Sequence, residues 1–228
     1  MPKTDEFVKY YDRIWSLVDE GGNVSFERIA DPETMQGPTT FLVKENLFDE
    51  DVPFSFIGRV YREINSCSDH KFIIPIKSLY RVVSVYEWIA GRRHEAPRML
   101  DFPYLPNVCI ALKIIGQEDA DGLVAGLRRL PVAHKALFVD SNRHLDFHVL
   151  EGIETVIIQG SNNVKNHNWI NALKYQCAEA GVTCVDGTDV IHFGIEQITV
   201  DLFADKSKKN RVTEHFIDEN KGRYAAAV

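Results

Sequence analysis

Lys44, Lys77, Lys113, Asp140 and Asp186 each stand at or near the end of an apolar run, Asn142 follows the run that Asp140 ends, and Gln159, Ser161 and Asn162 stand at the end of a further one. Lysine presents a compact positive charge that suits phosphate or carboxylate, while amides and hydroxyls add directed hydrogen bonds. Three lysines facing two aspartates would therefore receive an anionic small molecule, such as a nucleotide or a phosphorylated metabolite. A second chemistry uses the same residues: Lys77 or Lys113 with Asp140 or Asp186 as an acid–base pair. A plainer explanation sits beside both, in which the lysines are solvated strand ends paired with neighbouring acids.

Other stretches are weaker. "RHLDFH" supplies His144, Asp146 and His148. As a helix it would set the two histidines on one face at the i,i+4 spacing that can chelate zinc, and as a strand it would set all three residues on one face. No fourth ligand accompanies them, so no metal is expected. "GSNN" (160–163) reads as an anion-binding nest or as an ordinary turn. "DKSKKNR" (205–211) is basic, but acids flank it and no aromatics interleave, so it reads as a solvated tail and not as a nucleic-acid contact. Tyr80 and Trp88 fall on a predicted helix as core or interface residues.

The elements that must position these residues follow from hydrophobic patterning. Strand-like runs occupy 40–43, 71–76, 107–115, 135–140, 155–160 and 181–186, with helical patterns at 53–66, 77–90, 117–130 and 166–180. Segment 143–152 is a shorter helical pattern. Residues 5–20 place Phe7, Tyr11, Ile14 and Val18 near helical spacing, which predicts an N-terminal helix closed by Gly21-Gly22, and "NVSFERI" (23–29) could be a seventh strand. Apolar strands alternating with helices predict a parallel sheet covered by helices, either doubly wound or a partial barrel. Strand carboxyl ends are where such folds bind ligands. The expected organisation is an N-terminal helix over 1–22, an α/β domain over 23–190, and a partly disordered extension over 191–228.

Bulk properties narrow the function classes. The 228 residues suffice for a substantial core, and a net charge of −7 gives the whole chain no attraction to nucleic acid or anionic lipid. The four cysteines (67, 109, 177 and 184) form no C-x-x-C, so spacing predicts neither zinc nor iron–sulfur binding, and buried free thiols in a reducing cytoplasm are expected. The charged N-terminus carries no apolar segment of a secretory signal, and no apolar run approaches the ~20 residues of a membrane span.

Six landmarks carry a resemblance: "NLFDEDVPFSFIGRVYREI" (46–64), "HKFIIPIKSLYRV" (70–82), "LPNVCIALKIIGQEDAD" (105–121), "RLPVAHKALFVDS" (129–141), "IETVIIQGSNN" (153–163) and "HNWINALKYQCAEAGV" (167–182). In order and spacing the chain resembles the phage gene-product thirty-seven/sixty-eight family, a radical-SAM-like domain of unknown function. The resemblance implies a partial (β/α) TIM-like barrel with six or seven parallel strands, phage origin and a host-cytoplasm location. It also singles out Lys77, which matches a lysine of the family's strand–lysine–helix landmark. That family carries an N-terminal cysteine triad for a 4Fe–4S cluster, whereas residues 1–66 here contain no cysteine. The family's glycine–glutamate signature is Gln159-Gly160-Ser161-Asn162-Asn163 here. The expectation is a cluster-less relative without cofactor, binding an anionic small molecule or a protein partner. Its alternative is a Lys/Asp acid–base enzyme.

Overall fold

Runs such as "KFIIPI" and "VCIALKI" are rich in β-branched side chains at successive positions, which favours extended backbone and burial on both faces. In the computed structural model, which describes residues 11–91, 104–141, 144–158 and 167–186, these runs are strands. The order is β1 (Arg13–Trp15), a 3-10 helix (Glu27–Thr34), β2 (Thr40–Val43), α1 (Phe54–Ser66), β3 (Lys71–Ile76), α2 (Leu79–Gly91), β4 (Val108–Ile114), α3 (Gln117–Arg129), β5 (His134–Val139), β6 (Thr155–Ile158), α4 (His167–Glu179) and β7 (Thr183–Asp186).

All seven strands are parallel and lie in one sheet in the order β1-β2-β3-β4-β5-β6-β7. A doubly wound sheet reverses its order at a switch point, and this one does not. Right-handed crossovers repeated in one direction put every helix on the same side. The core confirms that geometry. One cluster joins Phe72, Ile74, Ile110, Leu112, Leu137, Val139 and Val156 to Phe56, Val60, Val82, Val124, Leu127 and Leu173 of the helices. The alternate strand residues Ile73, Cys109, Ala111, Ala136, Phe138, Ile157 and Val185 form a second cluster on the opposite face. Small residues, Cys109, Ala111 and Ala136, lie at its centre. Described residues thus give a singly wound β/α sheet, with β1 and β7 at its two edges.

Two expectations fail in the N-terminal region. The helix over 5–20 is absent from its described part, where Arg13–Trp15 pairs with Phe41–Val43 instead. Trp15 and Leu17 are buried and Ile14 is 55% exposed, an alternation of period two that the wider helical spacing of Tyr11, Ile14 and Val18 masked. The strand over 23–29 is also absent. Val24 makes only an isolated bridge to Val18, and Glu27 opens the 3-10 helix, so the seventh strand is β1. Tyr80, expected in the core or an interface, is 81% exposed, whereas Tyr86 is buried against Tyr61. Trp88 lies over Gly58, where an added Cβ would sit 3.3 Å from the indole.

Polar side chains at the amino-terminal edge of the sheet hold backbone. Asn107 Nδ2 donates to the carbonyls of Ile64 (3.0 Å), Cys67 (3.3 Å) and His70 (3.1 Å). The Thr39 N–H donates to His70 Nδ1 at 3.2 Å, so the ring proton is on Nε2, which donates to Pro32 O at 3.1 Å. His134 faces Glu154 Oε2 at 2.8 Å and Pro106 O at 3.1 Å. No described helix is long and apolar enough to cross a membrane.

Candidate functional site at the strand ends

Alternation places the candidate residues. Along β4, Cys109 and Ala111 face the side opposite the helices, and Lys113 is the next residue of that set. Along β5, Ala136 and Phe138 face it, and Asp140 follows. Lys77 continues the same set after Ile73, and Lys44 continues it after Leu42. Strand pairing persists to this edge, because the Asp140 N–H donates to Ile114 O (2.8 Å) and the Lys44 N–H to Trp15 O (3.1 Å). The face opposite the helices is therefore apolar along the strands and charged where they end.

Lys113 Nζ and Asp140 Oδ2 are 2.6 Å apart, with side chains 31% and 47% exposed. Ile76 pairs with Leu112, so Lys77 and Lys113 are next in register across β3 and β4, about 5 Å apart along the hydrogen-bonding direction. Lys44 and Lys77 are exposed, and neither has an ion-pair partner among the described residues. Asp140 pairs one of the three lysines, and the carboxylates of Glu45, Asp119 and Asp186 stand on the same edge, Glu45 and Asp119 each accepting from backbone N–H groups.

The rim is fixed by other polar groups. Glu45 accepts from Ser16 Oγ (2.7 Å) and the Leu17 N–H (2.8 Å), tying the loop after β2 to the loop after β1. Arg81 donates to the carbonyls of Val52 (2.8 Å) and Glu50 (3.3 Å) and lies 4.0 Å from the Phe54 ring centroid. Asn46 Oδ1 and Arg81 Nε, both in this region, are buried atoms without a hydrogen-bond partner. Asp119 accepts from the N–H groups of Ile115 (2.9 Å) and Gly116 (3.3 Å), which occupies donors at the start of α3 that a ligand could otherwise use.

The structure brings together Lys77, Lys113 and Asp140, with Lys44 further along the same edge. Asp186 ends β7, paired with Ile158, three strand positions from β4. Asn142, Gln159, Ser161, Asn162, the whole of "GSNN" and the basic cluster 205–211 lie outside the described residues. Residues 144–150 form neither the helix nor the strand weighed for "RHLDFH". Gln117 instead clamps that segment, accepting from the Asp146 N–H and donating to its carbonyl. His148 is 73% exposed and 4.0 Å from Asp121. Among the described residues no group of three or more His, Cys, Asp or Glu side chains converges as metal ligands would.

Two contributors were not singled out from sequence. Arg81 gave no signal, since its partners are carbonyls. Ile115, just after β4 and 60% exposed, adds apolar surface near the charged edge, as does Tyr80 on the first turn of α2. A cavity of about 420 Å³ lies elsewhere, between the last turn of α3 and the Glu151-Gly152 turn, where Arg128 is tied to Glu151 at 2.9 Å.

No curated protein and no solved structure matches the chain. One family model does match, over residues 7–185, from before β1 to Val185 of β7. Its description is "Protein of unknown function (DUF5131)", and it covers more than three quarters of the sequence and every strand of the sheet. The chain belongs to the DUF5131 family.

Proposed function

We propose that this chain is a radical-SAM-like half barrel of the phage gene-product thirty-seven/sixty-eight type. In this reading it lacks the iron–sulfur cluster and acts as a non-catalytic binding protein for a small anionic ligand. The singly wound parallel sheet supports the architecture, and the absence of any cysteine from residues 1–66 supports the loss of the cluster. One observation carries the ligand class: Lys77, without an ion-pair partner among the described residues, stands next in register to the Lys113–Asp140 ion pair, at the carboxyl edge where parallel α/β folds bind. Lys77 and Lys113 bracket the anion, Asp140 fixes the direction of Lys113, and Lys44 extends the positive field. Contact with a bound anion needs nothing further from these residues. The acid–base reading needs a dry site, and Lys77 and Asp140 are exposed.

Calorimetric titration of the full chain with pyrophosphate and with ADP at low salt tests this. Saturable binding that is weakened at least tenfold in Lys77→Ala supports it, and absence of binding to the unaltered protein overturns it. Conversion of ADP would replace the non-catalytic reading with the enzymatic one. Iron–sulfur absorption in protein purified without air would overturn the loss of the cluster.

A further inference from the structure

Cys177 and Cys184 occupy a turn that brings two elements back onto each other. α4 ends in a Schellman arrangement: the Gly181 N–H donates to Ala178 O (3.1 Å) and the Val182 N–H to Cys177 O (2.8 Å), with Gly181 at φ +67°. The chain reverses there and enters β7, whose second residue is Cys184. Val185 belongs to the cluster opposite the helices, while Cys184 packs on the helical one, to which Cys177 also belongs. Cys177 is fully buried and Cys184 is partly exposed. Both are free thiols within hydrogen-bonding reach of each other. That contact, ahead of burial, pushes the Cys177 thiol far above its ordinary range.

We propose that Cys177 and Cys184 are a reversible modification site, a dithiol that a low-molecular-weight disulfide such as oxidised glutathione converts to an intramolecular disulfide. Cys184, the more exposed thiol, gives its proton to solvent and attacks the glutathione disulfide. A sulfur–sulfur bond to one glutathione forms and the other leaves as a thiolate. Cys177 then gives up its proton and attacks the Cys184 sulfur, forming the internal bond and expelling the second glutathione. Two protein thiols are oxidised and one oxidised glutathione becomes two reduced ones. The bridge ties α4 to β7 two residues before Asp186, at the charged edge of the sheet.

Glu179 lies between the two cysteines, which makes the test direct. The folded full-length protein is equilibrated with oxidised glutathione, free thiols are alkylated, and the denatured chain is cleaved after glutamate. Peptides carrying Cys177 and Cys184 that stay joined until reduction support the proposal. Separate peptides, both alkylated or with glutathione retained on Cys184, overturn it, as does Cys184 joined to Cys67 or Cys109. In Cys177→Ser the reaction stops at the mixed disulfide, whereas Cys67→Ser leaves the bridge unchanged. A chain denatured before oxidation gives mixed pairings, which separates a contact of the fold from simple proximity in sequence.

Discussion

The two edges of the sheet use polar residues in opposite ways. At the amino-terminal edge Asn107 and His70 are buried, and their donors and acceptors are taken up by backbone that joins the ends of β2, β3 and α1. At the carboxyl edge Lys44 and Lys77 are exposed and unpaired among the described residues, and the Lys113–Asp140 pair is open to solvent. A buried hydrogen bond becomes costly when it is broken, whereas an exposed charge adds little to stability and stays available for a ligand. One edge holds the fold and the other is left free to bind.

That contrast breaks if substitutions at the two edges have equal effects. The largest loss of stability is expected for Asn107→Ala, which strips a shared donor from three buried carbonyls. A loss of about 3 kcal/mol should appear as a lower urea midpoint with an unchanged slope. A shift under 1 kcal/mol would mean that water replaces the side chain.

The same edge should also quiet a thiol. Burial first, then the Glu63 carboxylate, pushes the Cys67 thiol up to about 11 from an ordinary value of 9.0. Less thiolate is then present at pH 8, so Cys67 should alkylate about 100-fold more slowly in the folded protein than in the denatured chain. Because the folded value is raised, the associated stability is complete below pH 9 and is lost as pH rises through 11. Alkylation mapped by peptide mass spectrometry over that pH range checks both statements.

At the carboxyl edge the effects should fall on binding. Asp140→Asn removes the carboxylate that is ion-paired with Lys113. It should tighten pyrophosphate binding about fivefold while changing stability by less than about 1 kcal/mol. Lys44→Ala should cost the least, within about 0.5 kcal/mol of stability, and should mainly lower the salt dependence of binding. A large destabilisation from either substitution would place the carboxyl edge among the structural elements.

Much of this contrast was legible in the sequence, unevenly. β2 and β3 match their expected bounds, and α1, α3 and α4 fall within one residue of theirs, because long apolar runs and 13-residue amphipathic segments give strong periodic signals. β1 was misread because three residues cannot establish a period of two against the spacing of their neighbours. Strand alternation sufficed to place Lys113 and Asp140 at one edge, but not to show that they form an ion pair. The roles of Asn107 and Arg81 could not be read, since both act on carbonyls distant in sequence. Asn107 reaches back about forty residues to Ile64 and Cys67, and no local pattern records such a contact.

The sequential strand order has a kinetic consequence. Each strand pairs with the one made just before it, and only a single crossover helix separates most partners. Pairing of sequence neighbours keeps each closed loop to one crossover, and because that crossover must close before the pairing rewards it, each parallel addition is a slow step. The sheet can therefore grow from its first edge as the chain is synthesised, with each new strand using the previous one as its template. Substitutions in β4 or β5 should stall that growth midway and expose a strand edge, so their harm would appear as aggregation during synthesis before it appears as a lower melting temperature.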